Sequence, residues 1–116
     1  MKILASFSLV LLLVGCANNQ TMYHWGNYEQ LVYEMYKNPG KATPDQQLDT
    51  LRNDIEIAAS KGKPVPPGVY AHMGMLYASV GDSEQAKQAL NEELARYPES
   101  AIFVDGMLNR LEKGKQ

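Results

Sequence analysis

The chain has 116 residues, a formal net charge of −2 at pH 7 and one cysteine, which allows one small domain. A mildly acidic balance with no basic run argues against nucleic-acid binding and against electrostatic adhesion to an anionic lipid surface. A lone cysteine excludes a disulfide framework and a cysteine-based metal site.

Lys2 and the apolar run Ile3 to Val14 have the form of a signal peptide. The run is about twelve residues, and a spanning helix needs about 20. Leu13, Val14 and Gly15 then precede Cys16, a pattern that resembles the lipobox of bacterial lipoproteins. The resemblance implies signal-peptidase recognition through Leu13, Val14 and Gly15 and cleavage of residues 1–15. It also implies a diacylglyceryl group on the Cys16 thiol, with acylation of the new amine; no other cofactor and no metal is expected. Ala17 follows Cys16, where an aspartate would resemble an inner-membrane retention signal. The expected location is therefore the outer membrane, on its periplasmic face.

Cleavage leaves 101 residues with a net charge of −3, because Lys2 is lost. Residues 16–21 form the lipidated cysteine and a polar tether, and 22–116 the domain. Five extended residues span about 17 Å, so the domain is held close to the membrane.

The domain reads as all-α, with five helices and no sheet. Tyr28, Leu31, Val32 and Met35 have the spacing of one helical face within Asn27 to Lys37. Asn38-Pro39-Gly40 ends that helix. Thr43 with Gln46 forms a capping box, with Pro44 at the first helical position. The helix it opens turns Leu48, Leu51, Ile55, Ala58 and Ala59 inward and stops at Gly62, reinforced by Pro64, Pro66 and Pro67. A third helix covers Gly68 to Val80. Asp82 and Gln85 cap a fourth that runs to Tyr97, and Ser100 caps a fifth to Lys113.

Tyr70, Met73, Gly74, Tyr77, Ala86, Leu90 and Pro98 resemble, in type and spacing, the tetratricopeptide repeat (TPR). In such a hairpin Gly74 admits a close helix crossing, Ala86 fills it and Pro98 stops the second helix. Glu93 stands where the repeat prefers a second alanine, which predicts a looser close. A shift of one repeat places Val104, Met107, Leu108 and Leu111 on first-helix positions, making the last helix a capping half-repeat. The resemblance implies two TPR-like hairpins plus that cap, the first hairpin with a longer loop near Asn38 to Thr43. An unrelated αα-hairpin array is the alternative.

No residues form a catalytic or metal constellation. His24 and His72 read as surface or interfacial histidines, neither with a second histidine at ligand spacing. Gly40-Lys41-Ala42-Thr43 lacks the first glycine of a phosphate-binding loop and follows a helix. Glu92 and Glu93, and Asp54 and Glu56, read as solvated helix faces. No nucleophile stands with a base, so the chain is not expected to be an enzyme.

Seven tyrosines and one tryptophan are a stronger signal, with Tyr23, Trp25, Tyr28, Tyr33 and Tyr36 in one segment. By the repeat resemblance, a concave groove is lined by Glu29, Tyr33, Tyr36 and Lys37 in the first repeat. Ala71 and Met75 line it in the second, and Asn109 in the capping helix. Tyrosine and methionine bordered by charges suit peptide binding. The alternative is that Tyr33 and Tyr36 cover the tether or the long loop.

Trp25-Gly26-Asn27-Tyr28, Tyr33-Glu34-Met35-Tyr36, Pro39 to Pro44, Gly62 to Gly68 and Pro98-Glu99-Ser100-Ala101 are similar to a family of small proteobacterial lipoproteins whose domain has no assigned function. The resemblance implies an envelope lipoprotein associated with lipoproteins similar to the curli-secretion pore, and carries no catalytic residues. The leading expectation is a membrane-tethered adaptor or scaffold that binds another envelope protein and assembles or stabilises an outer-membrane complex. An activator of a peptidoglycan synthase is the runner-up, disfavoured because the tether is too short to cross the wall. An envelope hydrolase comes third.

Overall fold

The structure, a computed structural model, describes residues 21–114. The expected signal peptide with Leu13, Val14 and Gly15, the lipidation site Cys16, and the tether up to Gln20 lie outside the described residues. Within them the protein is all-α, with no strand. Five helices run in order, α1 (Tyr28–Lys37), α2 (Pro44–Ser60), α3 (Val69–Ser79), α4 (Ser83–Arg96) and α5 (Ala101–Lys113), with a 3-10 turn at Pro98–Ser100.

Local chemistry sets most of these boundaries. Thr43 accepts from the Gln46 N–H while the Gln46 side chain accepts from the Thr43 N–H, a reciprocal cap that satisfies two free donors. Asp82 accepts from the Gln85 N–H and opens α4. Ser100 does not cap α5: its hydroxyl donates to the Tyr97 carbonyl, and the 3-10 turn winds the chain into the helix instead.

The main core joins Leu48, Leu51 and Ala58 of α2 to Val65 in the following loop, Val69, Met73 and Leu76 of α3, and Ala89 of α4. The tightest pair is α3 with α4. A Cβ added at Gly74 would stand 2.8 Å from Cγ of Leu90, and both Ala86 and Leu90 are completely buried beneath it. Val104 brings α5 into the same interior. The proline-rich loop is more than a helix stop, since Val65 and Pro66 are themselves buried.

Three expectations about inward faces are corrected. Ala59 is exposed, and Asp54 and Gln47 turn inward instead. Val32 and Met35 stay partly exposed and outside the core, because α1 rests on the core only through Tyr28 and Leu31 and buries no side chain fully. Glu93 does not loosen the α3–α4 hairpin. Its carboxylate lies inside it and accepts from the Gly68 and Ala71 N–H groups at the start of α3. That is where a helix favours negative charge.

The segments between the helices also pack on one another. At one end the arm 21–27, the loop 61–68 and the turn 97–100 meet. The His24 N–H donates to the Pro64 carbonyl, the rings of Tyr23 and Tyr97 meet edge-on with centroids 6.3 Å apart, and the Tyr97 hydroxyl donates to the Val65 carbonyl.

Candidate interaction surface

The tyrosine-rich helix α1 is positioned by a buried carboxylate. Asp54 on α2 accepts from the Asn27 N–H at 2.8 Å and from Asn27 Nδ2 at 3.0 Å, fixing the residue that precedes α1. The chain reaches that bond through Gly26, whose φ of 51° is left-handed and whose missing side chain leaves room for the Asp54 carboxylate. Tyr28 then lies against the start of α3, edge-on to His72 with centroids 6.0 Å apart. Burial, and next the charge of Glu93, push the Tyr28 hydroxyl above its usual pKa and keep it a neutral phenol.

From this base α1 presents two faces. One carries Tyr28, Glu29, Val32, Tyr33, Tyr36 and Lys37 along an open strip. Tyr36 is 91% exposed, and the Lys37 ammonium stands 5.7 Å from the centroid of the half-exposed Tyr33 ring. All six described lining side chains come from one helix.

The other face forms a groove of about 420 Å³ with α2 and the 38–43 loop, lined by Leu31, Met35, Asn38, Lys41, Gln47 and Thr50 among others. At its rim Glu34 accepts from Gln30, Asn38 and Lys41. These bonds, that of Asn38 first, hold its carboxyl below the ordinary glutamate range. At its floor Gln47 donates to the Ala42 carbonyl, and its Oε1 lies 3.3 Å from His72 Nε2. Burial lowers the His72 pKa, so the ring is neutral at pH 7. Sequence reading missed this groove. The polar series Asn27, Gln30, Glu34 and Asn38 at helical spacing is the signal that marks it.

The structure brings together four of the seven residues expected at a concave face: Glu29, Tyr33, Tyr36 and Lys37. Met75 on α3 and Asn109 on α5 are exposed but do not line that strip. Ala71 is a correction. It is 7% exposed, and its N–H donates to the Glu93 carboxylate inside the α3–α4 hairpin. Asp54 and Glu93, expected on solvated faces, are buried, and so is His72. Among the described residues no group of three or more histidine, cysteine or acidic side chains could hold a metal ion. None of the described helices is long and apolar enough to cross a membrane.

Residues 22–107, from the arm through the first half of α5, match the model of a domain of unknown function, DUF4810. The chain belongs to the DUF4810 family. No curated protein and no solved structure matches it. The part of the chain shared with the DUF4810 model includes the whole α1 strip, the Asp54–Asn27 anchor and the Glu93 cap.

Proposed function

We propose that this DUF4810 protein is a lipid-anchored adaptor of the cell envelope, which grips another envelope protein through the α1 strip. Its signal peptide spans residues 1–15, its lipid is carried on Cys16, and its domain faces the periplasm from the outer membrane. The observation that carries the reading is the strip itself. Glu29, Tyr33, Tyr36 and Lys37 stand side by side on a helix whose start is pinned by Asp54. Aromatic side chains of this kind offer large contact area with a polar tip.

The close α3–α4 crossing at Gly74 supports a TPR-like hairpin, and repeat domains of that type serve as binding scaffolds. The short tether narrows the partner. A domain within about 17 Å of its anchor meets proteins at the membrane surface, and a second outer-membrane lipoprotein, similar to the curli-secretion pore, is the partner we favour. The role is then assembly or stabilisation of an outer-membrane complex.

Photo-crosslinking in cells from position 33 or 36 tests this. Capture of an outer-membrane lipoprotein supports the adaptor; capture of a wall synthase supports an activator instead. Replacing Cys16→Ser should abolish acyl labelling, and persistent labelling overturns the anchor.

A further inference from the structure

The end of the bundle at which the chain emerges towards Cys16 carries side chains that the adaptor reading leaves unused. Met22 is 71% exposed there, and Ile102, at the start of α5, is 92% exposed. Phe103 beside it is half exposed. Tyr23 and Trp25 pack edge-on at the same end, where the Tyr23–Tyr97 contact ties the arm to the turn that precedes Ile102. A bare isoleucine on the first turn of a helix, five residues after Tyr97, has no role within this fold.

We propose that this end is a membrane-seating surface: Met22, Trp25, Ile102 and Phe103 enter the lipid interface and hold the bundle upright. The proposal rests on the lipid-anchor reading of Cys16. Cys16 precedes Thr21 by five residues, so the acyl chains lie within about 17 Å of this end and the opposite end points away from the membrane. Tryptophan and tyrosine favour the headgroup level, where an apolar ring and a polar tip are both satisfied. Exposed charges near this end are of both signs, Lys61 with Glu29 and Glu99. Seating therefore depends on apolar insertion and not on anionic headgroups, consistent with the acidic balance of the whole chain. It also leaves α1 running outward from the bilayer, with Tyr33 and Tyr36 accessible from the side.

Trp25 is the only tryptophan, so its fluorescence reports on this end alone. The full-length protein is expressed in bacteria, extracted from their membranes and placed in vesicles of phosphatidylethanolamine and phosphatidylglycerol. The vesicles are used with and without bromine high on the acyl chains. Trp25 should lose fluorescence in the brominated vesicles, equally at low and high salt. Ile102→Asp, at a position too exposed to affect folding, should recover much of that loss. Mass analysis of the lipid on Cys16 separates the two ideas: an unlipidated cysteine overturns the anchor and this inference with it. Lipidated protein with unquenched Trp25, or an Ile102→Asp variant quenched like the wild type, overturns the seating alone.

Discussion

Glu93 Oε1 accepts a hydrogen bond from the Gly68 N–H at 2.7 Å, across 25 residues of chain and with the glutamate only 2% exposed. Its second oxygen takes the Ala71 N–H. One side chain of α4 thus serves two free donors at the N-terminus of α3, a helix that opens at Gly68 with no side-chain cap of its own. Glu93→Ala leaves both donors unpaired, that of Ala71 buried, and should cost about 3 kcal/mol. Glu93→Gln keeps an acceptor and should cost about half as much. Urea unfolding of the two variants checks the order; equal losses would mean that the charge and its second bond contribute nothing.

Gly74 poses a different question, because two effects oppose each other. Alanine is the better helix former by about 1 kcal/mol, but its Cβ would meet the side chain of fully buried Leu90. Overpacking of this kind costs about 1–3 kcal/mol, so Gly74→Ala should destabilise by about 1 kcal/mol net. In a Leu90→Ala background the clash is gone and the same change should be neutral or stabilising. A double-mutant cycle reads the coupling directly, and identical losses in both backgrounds would contradict it.

Asp54 holds the start of α1, while no residue of α1 is fully buried. Asp54→Ala should therefore release α1 locally before it affects the rest of the protein. Amide exchange in Tyr28–Lys37 should accelerate about tenfold or more, with smaller changes in α3 and α4. Uniform acceleration across all helices would show that Asp54 supports the whole core.

His72 makes stability depend on pH. Burial places its folded pKa below the ordinary value of 6.5, so the unfolded chain takes up the proton first as pH falls. The contribution of neutral His72 is complete above about pH 6.5 and is lost as pH falls from there towards the folded pKa. Denaturation midpoints should begin to drop as pH falls below about 6.5, before carboxylates with pKa values near 4 begin to titrate. His72→Gln, which keeps a donor for Gln47, should flatten that slope. An unchanged slope would assign the pH dependence elsewhere.

What could be read from the sequence divides along the range of the interactions. The caps at Thr43–Gln46 and Asp82–Gln85 are local, each complete within four residues, and both were legible. So was the crossing at Gly74, because a glycine among large apolar residues at helical spacing has few other uses. Asp54 and Glu93 were misread as solvated because their partners are 27 and 25 residues away. Those partners include backbone N–H groups, and a backbone donor leaves no mark in the sequence. Ala71 was assigned to a groove from its repeat position alone, and that position is buried beside Glu93. Val32 and Met35 share the apolar spacing of Tyr28 and Leu31, yet neither joins the core, since periodicity marks a face without saying how fully a neighbour covers it. Glu29, Tyr33, Tyr36 and Lys37 were read onto one face of α1, whereas Tyr28 and Val32, which line the strip with them, were read as facing the core. The groove on the other side of α1 was not legible, because it needs the 38–43 loop folded over α2.

The adaptor claim is tested most directly by placing a photo-reactive amino acid at position 36, with position 88 on exposed α4 as the control. Tyr33→Ala with Tyr36→Ala should shift stability by no more than about 0.5 kcal/mol, as expected for exposed positions, so any loss of binding in that variant is not a loss of fold. The account predicts that irradiated cells yield one discrete adduct from position 36, containing an outer-membrane lipoprotein, and none from position 88. It further predicts that the same complex fails to co-purify with the double alanine variant. The same adducts from both positions, or a complex that survives loss of both tyrosines, would contradict it.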